Sequence, residues 1–195
     1  MYMFTKDPRA EAAMPAMAAI GRLSRRSFLQ AAAAAGALTV MGRAAAAPPA
    51  MKFVGASEAA VLQRLMEVTL PLSGSDLLPL SQVAVLPTLD GALLATMPPH
   101  ILAGLKGGIG YWNDGPRAQF NRPFVDLNDE EAVRFCDAWA NGSEVPQRAL
   151  SVGLKKLIAL AYFANPPTWA PLGYDGPNTR KRNIPSLGNA ALPRS

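Results

Sequence analysis

The chain has 195 residues, half of them hydrophobic, with 19 basic and 14 acidic side chains for a net charge of +5. Its single cysteine, Cys136, excludes an intramolecular disulfide, a cysteine-held iron–sulfur cluster and a Cys-x-x-Cys-His haem attachment. Its single histidine, His100, leaves no Glu-x-x-His pair, so a metal site would have to be built from carboxylates alone.

The charge is unevenly placed. Residues 1–47 hold Lys6, Arg9, Arg22, Arg25, Arg26 and Arg43 against only Asp7 and Glu11, so the rest of the chain is nearly neutral. A nucleic-acid partner, which calls for a clustered basic face, is not indicated.

Residues 24–30 read Ser24-Arg25-Arg26-Ser27-Phe28-Leu29-Gln30, followed by an Ala-rich run from Ala31 to Met41. Ser24, Arg25, Arg26, Phe28 and Leu29 form the pattern of a twin-arginine export signal, and Ala44–Ala47 supplies an Ala-x-Ala cleavage site near Ala46. Gln30 replaces the Lys often found there, and the stretch before Ser24 is long; a start at Met14 or Met17 would give a more ordinary leader. The competing readings are a structural amphipathic helix or an uncleaved anchor. Gly36 and Arg43 leave the apolar run short of the ~20 residues a membrane span needs. The predicted organisation is a signal over 1–47, a helical domain over 48–177 and a basic tail, with Arg180-Lys181-Arg182, over 178–195.

After the Ala47–Ala50 spacer, Ser57 is expected to cap a helix with Glu58 in its first turn and Val61, Leu62, Leu65, Met66 and Leu70 on its apolar side, stopped by Pro71. Val83–Leu86 is short and β-branched enough for a strand, but Pro87 and the lack of a pairing run favour a loop entering a helix. Thr88–Met97 then presents Leu89, Leu93, Leu94 and Met97. A helix over 99–112 presents Ile101, Leu102, Leu105, Ile109 and Trp112, with His100 at its start. Gly104, Gly107, Gly108 and Gly110 weaken that helix by about 1 kcal/mol each relative to Ala; their spacing suits close helix packing rather than a phosphate loop. Asn128 or Asp129 caps the next helix, whose Asp129-Glu130-Glu131 turn is explained by the helix dipole without paired-carboxylate catalysis, and Val133, Phe135, Cys136 and Trp139 supply its apolar residues.

The clearest helix runs over 145–164, with Leu150, Leu154, Leu157, Ile158, Ala161 and Tyr162 inside and Arg148, Lys155 and Lys156 outside. A Pro/Gly-rich hook follows, with Pro166, Pro167, Trp169, Pro171, Tyr174 and Pro177. It either folds back on its own bundle or presents Trp169 and Tyr174, residue types that anchor interfaces, to a partner. The fold class expected is all-α: a small irregular bundle of four or five helices after an N-terminal signal helix.

The leader, the helix ending Leu157-Ile158-Ala159-Leu160-Ala161-Tyr162-Phe163 and the Pro-x-x-Trp…Gly-Tyr-x-Gly-Pro hook together resemble the small subunit of periplasmic flavin-dependent sugar and alcohol dehydrogenases, including the third subunit of gluconate 2-dehydrogenase. The resemblance implies a non-catalytic escort without a cofactor of its own. FAD would reside on a glucose–methanol–choline-type catalytic subunit, and haem on a multihaem cytochrome c. The escort would carry the catalytic subunit through the twin-arginine translocase to the periplasm. Trp169, Tyr174, Pro166 and Pro177 are then the partner-binding candidates. The alternatives are a stand-alone periplasmic enzyme or ligand-binding domain using carboxylates such as Asp114, Asp126 and Asp175, and a membrane-tethered structural protein.

Overall fold

The computed structural model describes residues 7–23 and 51–176, so the export-signal residues Ser24–Leu29, the cleavage site near Ala46, Pro177 and the 178–195 tail lie outside the described residues. Pro8–Gly21 forms α1, capped by Asp7, whose carboxylate accepts from the Arg9 amide at 2.9 Å while Pro8 fills the first helical position. Ala56–Thr69 is α2, Val85–Thr88 is α3, Pro99–Asp114 is α4, Arg117–Phe120 is α5, Asp129–Asn141 is α6 and Val145–Phe163 is α7. Two of these, α3 and α5, are single turns. Among the described residues there is no strand, and the all-α class expected from the sequence is the one observed.

Each long helix exists because one side of it has something to cover. On α7, Leu150, Leu154, Leu157, Ile158, Ala161 and Tyr162 are all essentially inaccessible, as the 3.6-residue spacing predicts. Burial of each large side chain contributes about 1.5–3 kcal/mol. On α2 the same applies to Val61, Leu62, Leu65 and Met66. Its cap differs from expectation. Gly55 occupies the N-cap position in extended backbone, and Ser57 sits inside the first turn, where its hydroxyl donates to Glu58 at 3.3 Å. Asn128 closes a full capping box on α6, accepting from the Glu131 amide at 2.9 Å while Glu131 accepts from the Asn128 amide at 3.1 Å. Val133, assigned from the sequence to the apolar face, is 42% exposed on α6; Phe135, Cys136 and Trp139 define the buried side instead.

Trp112 of α4 is the centre of an aromatic cluster, with ring centroids 5.7 Å from Phe124, 5.1 Å from Phe135 and 5.2 Å from Trp139. Its rings meet all three edge-on, the arrangement their quadrupoles favour. Gly115, just past α4, is required there: a Cβ at that position would run into the Trp139 ring and come within 2.9 Å of Phe135.

The segment after α3 is not a regular helix. Leu89–Leu93 forms a π-helical turn and Leu94–Thr96 a 3₁₀ turn. This irregularity carries Asp90 inward, where its carboxylate accepts the backbone N–H groups of Lys52, Phe53 and Val54, each at 2.8 Å. Asp90 is 4% exposed, and this one side chain holds the backbone that enters α2.

Helix α1 falls within the stretch read as leader, and it is packed as a core element. Ala13, Ala16 and Ile20 are fully buried, lying against α4 and α7. The seat is made by glycines. A Cβ on Gly104 would strike the Ala12 carbonyl, one on Gly108 would come within 2.7 Å of the Ala13 methyl, and one on Gly153 would meet the Met17 sulfur. The α4 glycines do allow close helix packing, and the helix they admit is α1. Its ends are pinned by polar contacts. Arg9 pairs with Asp114 at 2.8 Å and with Asp7 at 2.8 Å, and Lys156 Nζ donates to the Gly21 carbonyl at 2.8 Å.

Candidate functional site

The hook is two consecutive 3₁₀ turns, Pro166–Thr168 and Ala170–Leu172, built on the C-terminal end of α7. Buried Asn165 ties its base down, donating to the Ala161 carbonyl at 2.8 Å and to the Thr88 hydroxyl at 3.3 Å. Thr168 closes the first turn by donating to the Asn165 carbonyl at 2.8 Å. Proline at positions 166, 167 and 171 fixes the backbone, and Gly173 and Gly176 supply the left-handed conformations, with φ of 65° and 103°, that reverse the chain.

Trp169 and Tyr174 play different parts in this frame. Trp169 is half-buried, and its indole N–H donates to the Phe163 carbonyl at 2.7 Å, satisfying one of the orphan carbonyls at the end of α7. Its carbonyl in turn accepts from the amides of Leu172 and Tyr174, both at 3.0 Å. Tyr174 stacks edge-on against the Trp169 ring at 5.2 Å and remains 40% exposed; Leu172 beside it is 53% exposed. Pro166 is half-buried in the first turn. The structure thus makes Trp169 the internal pin and leaves Tyr174 and Leu172 as a rigid apolar tip.

Of the carboxylates considered for chemistry, Asp114, at the end of α4, is held in ion pairs with Arg9 at 2.8 Å and Arg117 at 3.0 Å. The Arg9 guanidinium is the main reason its carboxyl lies below the usual carboxylate range. Asp126 sits in the Phe124–Asp126 turn, and its carbonyl accepts from Arg122 at 3.3 Å. Asp175 lies exposed on the hook. In the acidic turn of α6, Asp129 meets Arg64 at 2.8 Å and Glu131 meets Arg122 at 2.7 Å, so helix capping and ion pairing account for these two. Among the described residues no group of three or more His, Cys, Asp or Glu side chains could hold a metal ion. His100 is exposed in the first turn of α4, and Cys136 is buried, its thiol pushed up to about 11 by desolvation. A surface depression of about 160 Å³ lies between α2 and α3, lined by Gln63, Met66, Leu80, Val83, Val85 and Pro87.

Sequence reasoning passed over two features. Asp90 stands alone in an apolar stretch, and only its acidic character amid Leu89, Leu93 and Leu94 could have drawn notice. The α1 seat is written in Gly104, Gly108 and Gly153, but nothing in their spacing names the helix they receive. Among the described residues no helix is long and apolar enough to cross a membrane. The chain matches no family model, no curated protein and no solved structure with which it was compared.

Proposed function

We propose that this chain is a non-catalytic escort subunit. In this reading it stabilises a flavin-dependent sugar or alcohol dehydrogenase of the glucose–methanol–choline type and carries it through the twin-arginine translocase to the periplasm. FAD belongs to the catalytic subunit, and a multihaem cytochrome c takes the electrons onward.

The observation that carries this reading is the Ser24-Arg25-Arg26-Ser27-Phe28-Leu29 motif set beside a helical domain that ends in a stiff aromatic hook. An export route for folded cargo suits a subunit that assembles with its partner before crossing. The hook supports it further. Tyr174 and Leu172 are exposed on a backbone held by prolines and by the Trp169–Phe163 hydrogen bond. Little conformational entropy remains to be lost when such a tip docks.

The test is a double substitution, Arg25→Lys with Arg26→Lys, in cells that also make the flavoprotein partner. Guanidinium and ammonium are not equivalent at a site that reads a planar fork. The expected result is that both proteins stay in the cytoplasm. Partner activity persisting in the periplasm refutes the escort role. A chain that is exported alone and turns over substrate without a partner establishes the enzyme reading instead.

A further inference from the structure

Helix α1 precedes the arginine pair in the chain, yet it is seated in the body of the domain that follows the pair. This arrangement conflicts with export, and the inference below rests on the export reading. Residues before the apolar run 31–41 include Lys6, Arg9, Arg22, Arg25 and Arg26 against Asp7 and Glu11. A basic segment before an apolar stretch remains on the cytoplasmic side of the membrane. The domain beginning at residue 51 must end on the other side. While α1 lies between α4 and α7, both cannot be true.

We propose that α1 is a releasable latch: docked, it holds the chain in a state that cannot be transported, and export requires α1 to be out of the α4–α7 seat. The seat has the character such a latch needs. Its apolar contacts are made through Ala10, Ala13 and Ala16, small side chains that each bury little area, with Met17 and Ile20 as the larger ones. Its polar contacts with the body are the Arg9–Asp114 ion pair and the Lys156–Gly21 hydrogen bond; the Arg9 and Asp114 side chains are 42% and 39% exposed, so water readily replaces that pair. A helix of 14 residues bearing this interface is held by tertiary contact and not by its own propensity. The latch is therefore specific in shape and modest in strength.

The geometry also supplies a direct means of locking it. A Cβ on Gly107 would lie 3.8 Å from the Arg9 Cβ, the mean Cβ separation of a disulfide being about 3.8 Å. Arg9→Cys with Gly107→Cys should therefore cross-link α1 to α4 on oxidation, and buried Cys136 should not compete. Purified full-length protein, oxidised or reduced, is offered to inverted membrane vesicles containing the twin-arginine translocase. Import of the reduced form together with at least a tenfold loss for the oxidised form, reversed by dithiothreitol, is the expected result. Equal import of both forms overturns the latch and leaves the export reading standing. Failure of both the wild-type chain and a loosened Gly108→Ala variant to enter removes the export reading and the latch with it. As a second variant, Gly108→Ala pushes on Ala13 and Leu150 from the domain side and leaves the leader intact. It should raise amide exchange in α1 about tenfold and speed import at least twofold; unchanged import with a loosened α1 also overturns the proposal.

Discussion

Replacing Asp90 by Ala should be among the most damaging single changes available in this protein. The carboxylate accepts three backbone N–H groups at 2.8 Å each, from Lys52, Phe53 and Val54. Hydrogen bonds to a charged group contribute about 1.5–3 kcal/mol each, and a buried donor left without a partner loses that much. Val54 is buried and has no access to water, whereas Lys52 is exposed and Phe53 half-buried, so both can recover part of the loss from solvent. The net cost is then about 3–5 kcal/mol, set against a total stability of about 5–15 kcal/mol for a typical domain. Asp90→Asn keeps one oxygen for Phe53 and Val54 but turns an amide NH₂ towards the Lys52 N–H, and should cost about 1–2 kcal/mol. Urea denaturation gives both values, and amide exchange at residues 52–54 localises them. A loss below about 1 kcal/mol for Asp90→Ala, with those amides still protected, would refute the clamp.

Gly104→Ala should unseat α1, because the new methyl meets the rigid Ala12 carbonyl; a cost of about 1–3 kcal/mol and faster exchange throughout residues 8–21 are expected. Acid should loosen the same helix. Arg9 holds the carboxyls of Asp7 and Asp114 below their ordinary value of 3.8, so their contribution is complete above that pH and lost as pH falls further; α1 protection factors compared at pH 7 and pH 3 test this. Trp169→Ala removes the pin under Tyr174 and the N–H bond to Phe163 and should lower the melting temperature, a loss of ~2 kcal/mol for a half-buried indole. Tyr174→Ala should leave melting nearly unchanged while weakening partner co-purification; the reverse pattern excludes the tip as a contact. Cys136 should resist alkylation at pH 8 until the protein is unfolded, since burial disfavours its thiolate.

The parts of the fold legible in the sequence are those where one face of a helix differs sharply from the other. In 145–163, leucines at 150, 154 and 157 alternate with Arg148, Lys155 and Lys156, and that contrast places the core without reference to any other element. The Asn128–Glu131 capping box is equally local. Residues 8–21 offer no such contrast. Alanines occupy buried and exposed positions alike, so nothing in them marks a buried face or names a partner. The role of Asp90 was illegible for a related reason. Its three donors lie 36 to 38 residues earlier in the chain, and the π-helical turn that aims it inward has no sequence signature of its own. On the hook, the pairing of aromatic and proline residues was evident, but the division between Trp169 as pin and Tyr174 as tip depends on where the Phe163 carbonyl points.

The long reach of the α1 contacts has a consequence during synthesis. Arg9 meets Asp114 across 105 residues, and Lys156 meets Gly21 across 135. At ~5–20 residues per second, the last of these partners is added to the chain roughly 7 to 27 s after Gly21. Throughout that interval the seat of α1 is incomplete. A receptor or chaperone that reads the nascent N-terminal region meets it before the fold can claim it, and the order in which the chain is made gives such a reader the first opportunity to bind.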